Sequence, residues 1–366
     1  MPMKALPMWA IDIAVFVAAL VVTWLVTPLA GALSRRLGLV DVPGGRRQHQ
    51  GAIPRLGGIA IYAGFMVATL LTLPTLGRYY YPADWLRLAG LLIGGTVIFF
   101  GGLLDDRRQF SALTQLVLLV IVAAIAIRYT VFIEVVNNPL TGTPLKFPLP
   151  LTIALTLLWL AGMTTTVNWL DGLDGLAAGV SGIAMLVFFV HMLRMNQPSQ
   201  ALLPLALLGA IAGFLPRNWH PTKVFLGSSG AYFLGFAVGA LAIIGVARTG
   251  TALLALGVPI LDVAWQIFDR VRHRRSPGSG DRGHLHFRLV DLGLPQERIV
   301  LLYCALSAAL GALALLMPPP LYKLLALVAL GLVVVVVLLV LTRLGERRIR
   351  PGAEAATPES EPGSKV

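Results

Sequence analysis

The stretch KVFLGSSGAYFLGF, residues 223–236, places a turn of glycine and serine directly before an apolar run. Similar apolar runs recur along the chain, which is 57% hydrophobic and only 13% charged. Because one helical crossing of a bilayer needs about 20 apolar residues, runs of this length predict membrane-spanning helices. The sequence therefore predicts an all-α polytopic membrane protein.

Eleven spans follow from matching the apolar runs to the thickness of a bilayer. The first run ends at basic residues rather than at a small-residue cleavage site, so it is predicted to be a retained span and not a signal peptide. Residues 1–349 are predicted to form a single integral-membrane domain, and residues 350–366, rich in Pro, Glu and Ser, a disordered cytoplasmic tail. The predicted spans are 9–31, 57–77, 86–104, 112–131, 150–168, 176–193, 201–215, 230–247, 250–267, 298–317 and 320–342.

The basic residues predict the orientation of these spans. Of the 29 Lys and Arg residues, 21 fall in loops after odd-numbered spans and 8 on the other face. Because cytoplasmic loops carry the excess of Lys and Arg, we expect the N-terminus outside the plasma membrane and the C-terminus in the cytoplasm. This topology explains the net charge of +12 without nucleic acid, for which the sequence has no recognisable binding fold. Cys304 is the only cysteine, which excludes a disulfide framework and a cysteine metal site.

The chemically unusual stretches all fall in loops of the predicted cytoplasmic face. Five separate loops on one side predict a single active-site cleft at that face. The stretches are RRQHQGAIPRLGG (46–58), LLDDRRQ (103–109), NWLDGLDGLAAG (168–179), RNWHPTKVFLGSSG (217–230) and DRGHLHFRLVDLG (281–293).

Two neighbouring carboxylates, Asp105 and Asp106, end the third predicted span. Such a pair repels itself and is favoured where a divalent cation compensates. Arg107 and Arg108 could equally neutralise the pair at a solvated helix end. The pair is therefore a candidate metal site with an ordinary alternative.

Asn168, Asp171 and Asp174 are spaced three apart, which places them on roughly one side if the helix continues. Carboxylates at a membrane border are costly unless they are functional, although a solvated turn would also accommodate them. Asp262, inside the ninth predicted span, is a candidate by the same argument or a partner of a neighbouring arginine.

The histidines give weaker signals. His284 and His286 flank one residue and point the same way only in an extended segment, where they could bind a metal or phosphate, or lie on the surface of a basic loop. His49, with Arg46, Arg47 and Arg55, could clamp a phosphate, or these charges could hold the loop inside. We assign no chemistry of their own to His191, His220 and His273.

Together these groups suit one kind of chemistry. Carboxylates hold Mg²⁺, cations neutralise a diphosphate, and apolar walls accept a lipid. The residues by themselves predict phosphoryl transfer between a soluble nucleotide and a membrane lipid. A transporter would instead place ionisable groups along a path through mid-bilayer.

The same residues resemble the polyprenyl-phosphate N-acetylhexosamine-1-phosphate transferases, the superfamily of phospho-MurNAc-pentapeptide translocase and the WecA/TagO-type enzymes. The resemblance runs from Leu37 to Leu294 and is most specific in NxxDGLDGLAxG, while PRLGG and H-x-H favour the WecA/TagO branch. It implies transfer of a sugar 1-phosphate, by default GlcNAc-1-phosphate, from a UDP-sugar to polyprenyl (undecaprenyl) phosphate. UMP would be released with Mg²⁺ or Mn²⁺ as cofactor, initiating a cell-envelope glycan. A homodimer is one assembly left open.

The resemblance also implies roles for individual residues. Asp105, Asp106 and Asp174 would be catalytic, and one aspartate of the adjacent pair would deprotonate the lipid phosphate. Metal ligands would be Asp105, Asp106, Asp171 and the residue at position 228. Substrate would be bound by His49, Arg55, Asn168, Asp171, Asn218, His284, His286 and Arg288.

Four positions depart from the resembling pattern. Ser228 stands where the pattern G-D-[SA]-G has its aspartate, and a hydroxyl is a weaker Mg²⁺ ligand than a carboxylate. Thr165 replaces an asparagine, Gln115 a lysine and Phe287 a histidine. These departures leave an alternative open, in which the protein is a catalytically degenerate homologue that binds polyprenyl phosphate or a nucleotide-sugar.

Overall fold

The computed structural model describes residues 7–42, 51–76, 82–245, 249–274, 283–317 and 320–349. Within these ranges the fold is helical apart from two small antiparallel hairpins, β1 with β2 and β3 with β4. The elements in chain order are α1 (Met8–Arg36), β1 (Val40–Asp41), β2 (Ile53–Pro54), α2 (Gly58–Leu76), α3 (Pro82–Arg108), α4 (Ala112–Arg128), β3 (Val135–Asn137), β4 (Pro144–Lys146), α5 (Leu149–Leu170), α6 (Leu176–Arg194), α7 (Pro198–Asn218), α8 (Gly227–Ile244), α9 (Thr249–Ala255), α10 (Gly257–Arg272), α11 (Leu285–Asp291), α12 (Gln296–Leu316) and α13 (Pro320–Ile349).

The prediction of an all-α polytopic membrane protein is confirmed. Eight described helices are long and apolar enough to cross a membrane, and α2 and α4 are shorter apolar helices. Ten of the eleven predicted spans correspond to one helix each. The ninth, 250–267, was wrong as a single helix, because the chain breaks at Leu256 between α9 and α10. Pro259 explains the break, since it has no N–H to donate to the carbonyl of Ala255.

Helix α8 lies in the centre of the bundle. Of its 18 residues 16 are buried, and it packs against α2, α3, α5 and α6. Its glycines allow close contact with α5, since a Cβ on Gly235 would stand 2.5 Å from the Cα of Thr164. Small residues at such crossings let helix backbones approach inside a membrane. The central position of α8 fixes where its N-terminus lies relative to its neighbours.

Glycines also bring three helix ends together around the N-terminus of α8. A Cβ on Gly102, near the end of α3, would stand 2.5 Å from the Cα of Ser229. A Cβ on Gly58, the first residue of α2, would stand 2.2 Å from the backbone nitrogen of Gly230. Real side chains do not tolerate these distances, so both positions require glycine.

Backbone hydrogen bonds connect the PRLGG segment to the residues before α8. The Phe225 N–H donates to the Pro54 carbonyl at 2.8 Å, and the Gly57 N–H donates to the Phe225 carbonyl at 3.0 Å. The Gly58 N–H then donates to the Leu226 carbonyl at 2.9 Å. Two loops far apart in sequence therefore form one continuous surface at this end of the bundle. His49 and the predicted tail, residues 350–366, lie outside the described residues.

We predict that Gly102→Ala lowers the melting temperature in detergent, because the added methyl group forces α3 away from α8. Overpacking of this kind costs about 1–3 kcal/mol. Gly162→Ala is the matched control, since a Cβ on Gly162 in α5 would meet nothing within 4 Å. Equal melting temperatures for the two variants would contradict the close contact.

Candidate active site

The side chain of Asp106, near the end of α3, contacts the N-terminus of α8. Its Oδ1 accepts the Ser228 N–H at 2.8 Å and its Oδ2 accepts the Ser229 N–H at 3.0 Å. The positive end of a helix dipole stabilises a carboxylate there, and the charge of Arg55 acts on it as well. Gly227 permits the contact: its φ is +74°, and a Cβ would stand 2.1 Å from the Arg55 carbonyl oxygen.

Asp105 has different partners from its neighbour. Its Oδ1 accepts the Phe110 N–H at 2.6 Å and its Oδ2 accepts the Tyr232 hydroxyl at 3.1 Å. Both aspartates are buried, whereas Arg107 and Arg108 are exposed. The pair is therefore not the solvated, arginine-neutralised helix end that the sequence left open. Both aspartates join the end of α3 to α8, Asp105 through the Tyr232 hydroxyl and Asp106 through the two N–H groups of the α8 terminus.

The DGLDG segment forms a turn and not a continued helix. Helix α5 ends at Leu170, and α6 begins at Leu176 after Gly175, whose φ is +79°. The helix does not continue, so the condition under which Asn168, Asp171 and Asp174 would share one helix face is not met, and the turn that the sequence left as an alternative is present. Asn168, half-buried in the last turn of α5, accepts the Asp171 N–H at its carbonyl at 3.4 Å.

Asp174 contacts His220, a histidine to which the sequence alone assigns no chemistry. Its Oδ2 lies 2.7 Å from the His220 Nδ1 and accepts the Thr222 N–H at 3.3 Å. The other ring nitrogen of His220 lies 3.8 Å from a carboxylate oxygen of Glu297. Because 46 residues separate His220 from Asp174, no local motif indicates the pair.

Asn218 shapes the loop that carries His220. The Asn218 side chain is buried and its Nδ2 donates to the Val224 carbonyl at 3.1 Å. The Thr222 hydroxyl lies within hydrogen-bond distance of the same carbonyl, at 3.2 Å. The Asn218 side chain therefore helps to hold the loop that carries His220 in place.

Asp171 carries the least compensated charge in the cluster. Burial raises the pKa of its carboxyl well above the usual range, and the charges of Asp106 and Asp174 raise it further, while Arg55 lowers it. Among the described residues, none donates a hydrogen bond to its side chain. A cation placed here would relieve the repulsion among the three carboxylates.

The carboxylates are suited to supply part of the ligand shell of a metal ion. Within the described ranges, no three His, Cys, Asp or Glu side chains form a ready-made metal cage. Mg²⁺ does not require one, since it commonly takes one or two carboxylates and completes its shell with water and substrate phosphates. Asp106 and Asp171 meet that requirement, with Ser228 adjacent to Asp106. The oxygens of Asp105 and Asp106 each already accept one hydrogen bond. Of this pair, Asp106 is the one whose charge acts on Asp171, which makes Asp105 the less suited ligand.

The histidine segment lies against the DGLDG turn. The His284 Nδ1 is 3.0 Å from Asp262 Oδ2, so Asp262 pairs with a histidine and not with an arginine as one alternative had it. The rings of His284 and His286 are stacked, 5.5 Å apart, although α11 begins between them. Arg288 donates from Nε to the Gly283 carbonyl at 2.6 Å.

His286 is fully buried and faces Gly172. A Cβ on Gly172 would stand 2.8 Å from the His286 Nε2. Burial lowers the pKa of His286 to about 3, so the ring is neutral at physiological pH. Its two ring nitrogens have no hydrogen-bond partner in the described part of the chain. The Phe287 ring packs beside it, with 4.3 Å between the two ring centres.

The chain is similar to a known protein family and to several named proteins. The model of glycosyl transferase family 4 matches residues 88–246. A decaprenyl-phosphate N-acetylglucosaminephosphotransferase of Mycobacterium leprae is 32% identical over 312 residues, covering 78% of each chain. The chain belongs to the polyprenyl-phosphate N-acetylhexosamine-1-phosphate transferase superfamily.

Further members of this superfamily are similar over the same extent. A probable undecaprenyl-phosphate N-acetylglucosaminyl 1-phosphate transferase of Bacillus subtilis is 28% identical over 293 residues, which cover 78% of this chain and 79% of that protein. An undecaprenyl-phosphate alpha-N-acetylglucosaminyl 1-phosphate transferase of Escherichia coli K12 is 29% identical over 303 residues, with the same coverage.

Two of the four departures from the superfamily pattern lie directly at the carboxylates or their wall. Ser228 contributes its N–H to Asp106, so an aspartate at this position would add a charge next to that carboxylate. Phe287 packs over Gly172, where a Cβ would stand 2.6 Å from its ring. Gln115 donates to the Phe110 carbonyl at 3.4 Å, and Thr165 is half-buried in α5.

We predict that Asp171→Asn raises the melting temperature in the presence of EDTA at pH 8. A carboxyl whose pKa is higher in the folded than in the unfolded state makes the protein less stable as the pH rises from the unfolded pKa, about 4, through the folded pKa. Asn removes that loss, so the difference between variant and wild type should shrink towards pH 4. Asp269→Asn, a half-exposed carboxylate beside His273, is the control. A variant no more stable than wild type at any pH would show that Asp171 is not repelled.

Proposed function

We propose that this protein transfers a sugar 1-phosphate, by default GlcNAc-1-phosphate, from a UDP-sugar to polyprenyl phosphate and releases UMP. The observation that carries the proposal is the meeting of Asp106, Asp171 and Asp174 with Arg55 at one end of a membrane bundle. The printed activities of the relatives support it, since each is a polyprenyl-phosphate N-acetylglucosamine phosphotransferase by name. Initiation of a cell-envelope glycan is the corresponding biological role.

In this reaction an oxygen of the lipid phosphate attacks the phosphorus that bears the sugar. The bond from that phosphorus to the UMP oxygen breaks, and UMP leaves. Arg55 would compensate phosphate charge, and Asp106, held by two N–H groups and acted on by the charge of Arg55, is the proposed base for the lipid phosphate. Asp174 is oriented by His220. We assign Asp105 a supporting role through Tyr232.

Mg²⁺ or Mn²⁺ is the proposed cofactor. Asp106 and Asp171 would hold it, and when bound it would neutralise the diphosphate. The carboxylate repulsion at Asp171 supports this assignment. Asn168, His284, His286 and Arg288 line or support the adjoining wall in this proposal, and His49 remains a predicted substrate ligand.

A second candidate function is binding without catalysis. Ser228 favours it, because a neutral hydroxyl adds little to Mg²⁺ affinity where a carboxylate would add a charged ligand. In that case the site would still bind a nucleotide-sugar or the lipid phosphate through Arg55 and the remaining carboxylates.

The first experiment measures UMP release by the purified full-length protein in detergent with UDP-GlcNAc, undecaprenyl phosphate and Mg²⁺. We expect wild type to release UMP and Asp106→Asn or Asp174→Asn to slow release by about 100-fold or more, since positioned acid–base groups contribute that much. Glu134→Gln is the control, because Glu134 pairs with Lys146 on the hairpin at the other end of the bundle.

Ser228→Asp separates the two candidate functions in the same assay. If the protein is an enzyme, wild type is active and Ser228→Asp lowers the Mg²⁺ concentration for half-maximal rate by about tenfold, because a carboxylate ligand is added. Activity only in Ser228→Asp would support the binding role. No UMP release by either, with other UDP-sugars included, would refute the transferase proposal.

We further propose that the site end of the bundle faces the cytoplasm of a plasma membrane. The 21 of 29 Lys and Arg residues on that side support it. In a Cys304→Ser background, Gln109→Cys at the site end should be labelled by an impermeant thiol reagent in inverted vesicles. Thr141→Cys, on the β3–β4 hairpin, should be labelled in right-side-out vesicles. The reverse pattern would overturn the orientation.

A further inference from the structure

Helix α10 carries a buried polar stripe that the reaction above does not use. Asp262, Gln266 and Arg270 are four residues apart and therefore share one face of the helix. They are only 2%, 1% and 2% exposed. The opposite face presents apolar side chains such as Phe268 and Val271, which are 57% and 59% exposed. The polar face of α10 is thus directed into the protein.

Two residues of the stripe contact the histidine segment directly, and the third reaches it through the ring of Trp169. Asp262 accepts the Leu285 N–H on Oδ1 at 2.9 Å and lies 3.0 Å from His284 Nδ1 on Oδ2. Gln266 donates to the Gly283 carbonyl. The Arg270 guanidinium lies 4.7 Å from the centre of the Trp169 ring, and that ring lies 5.4 Å from the ring of His284.

The contact with Asp262 determines which nitrogen of the His284 ring carries a proton. An ionised carboxylate can only accept hydrogen bonds, so His284 Nδ1 must carry a proton and donate it. In the neutral ring, Nε2 is then the acceptor, and in the charged ring both nitrogens donate. A partner at one imidazole nitrogen sets the orientation and basicity of the other.

The His284 ring stands next to the proposed substrate site. Trp169, which it contacts, precedes Asp171 by two residues. His286, stacked on it, faces Gly172 in the same turn. Both rings are buried, with His286 at 0% and His284 at 5% exposure, so His284 is the only one of the two with any exposed surface. Of the two histidines, His284 is therefore the one placed to meet a phosphate.

We propose that Asp262 is a positioning residue that holds His284 with Nδ1 protonated and presents Nε2 to the diphosphate of the donor. The inference rests on the proposed function, because the donor is the substrate of that reaction. Asp262 acts through His284 and does not itself touch substrate. Its second contact, with the Leu285 N–H, fixes the start of α11 and with it the place of the ring.

Asp262→Asn tests the inference with little change in shape. The Leu285 N–H requires the amide oxygen of Asn, so the amide NH₂ faces His284 Nδ1 and makes it an acceptor. The proton then moves to Nε2. We expect kcat to fall by about 10- to 100-fold, as for loss of other groups that orient a functional histidine, with KM for the UDP-sugar changed by about twofold or less. Asp269→Asn, on the same helix and half-exposed beside His273, should leave both constants unchanged.

A double-mutant cycle separates positioning from simple helix capping. If Asp262 acts through His284, then Asp262→Asn combined with His284→Ala should be no slower than His284→Ala alone. If Asp262 only caps α11, the two losses multiply, and that result would overturn the inference.

A readout without catalysis keeps this inference separate from the proposed function. Nitrogen-15 NMR of histidine-labelled protein, with the His284 signals assigned by difference from His284→Ala, reports which ring nitrogen carries the proton when the ring is neutral. We expect Nδ1–H in wild type and Nε2–H in Asp262→Asn. The same tautomer in both would refute the role of Asp262 whether or not UMP is released. Inactive wild type with the expected tautomers would refute only the transferase proposal and the substrate contact that depends on it.

Discussion

The contact between the Asp106 carboxylate and the first turn of α8 is the interaction on which the rest of the site depends. Two backbone N–H groups at the positive end of a helix hold this buried negative charge. The contact exists only because helix ends approach closely. Gly102 and Gly58 allow α3 and α2 to reach α8, and Gly227 adopts a backbone conformation that leaves room for the carboxylate.

The four aspartates around this contact differ in how their negative charges are compensated. Asp105 is satisfied by a hydroxyl and an N–H, Asp106 by the helix terminus, and Asp174 by His220. Asp171 accepts no hydrogen bond among the described residues and is close enough to two other carboxylates to be repelled. Active sites commonly sacrifice stability in this way, because the strain is released when a ligand binds. Under the proposed function, that ligand would be a divalent cation together with a diphosphate.

The departures from the superfamily pattern acquire a physical meaning from these contacts. A carboxylate at position 228 would stand next to Asp106 and would need a cation to be tolerated. With Ser228 the backbone contact to Asp106 is kept and that additional charge is absent. Under the proposed function, Asp106 and Asp171 would hold the cation with one charged ligand fewer than the superfamily pattern has. Phe287 likewise changes a polar position to an apolar contact with Gly172.

The sequence by itself determined the all-helical membrane fold, ten of the eleven spans and the set of loops that converge at one end. These features depend on local composition, because the thickness of a bilayer requires about 20 apolar residues per crossing. It also identified most of the carboxylates, through the specific NxxDGLDGLAxG motif. Only the tertiary structure decided what each polar group does: Asp174 meets His220 across 46 residues, Asp262 meets His284 across 22, and Asp106 meets Ser228 across 122. The break of α9 from α10 and the separate partners of Asp105 and Asp106 were likewise visible only there. Such pairings are set by how closely whole helices pack, and residue spacing along the chain does not encode that distance.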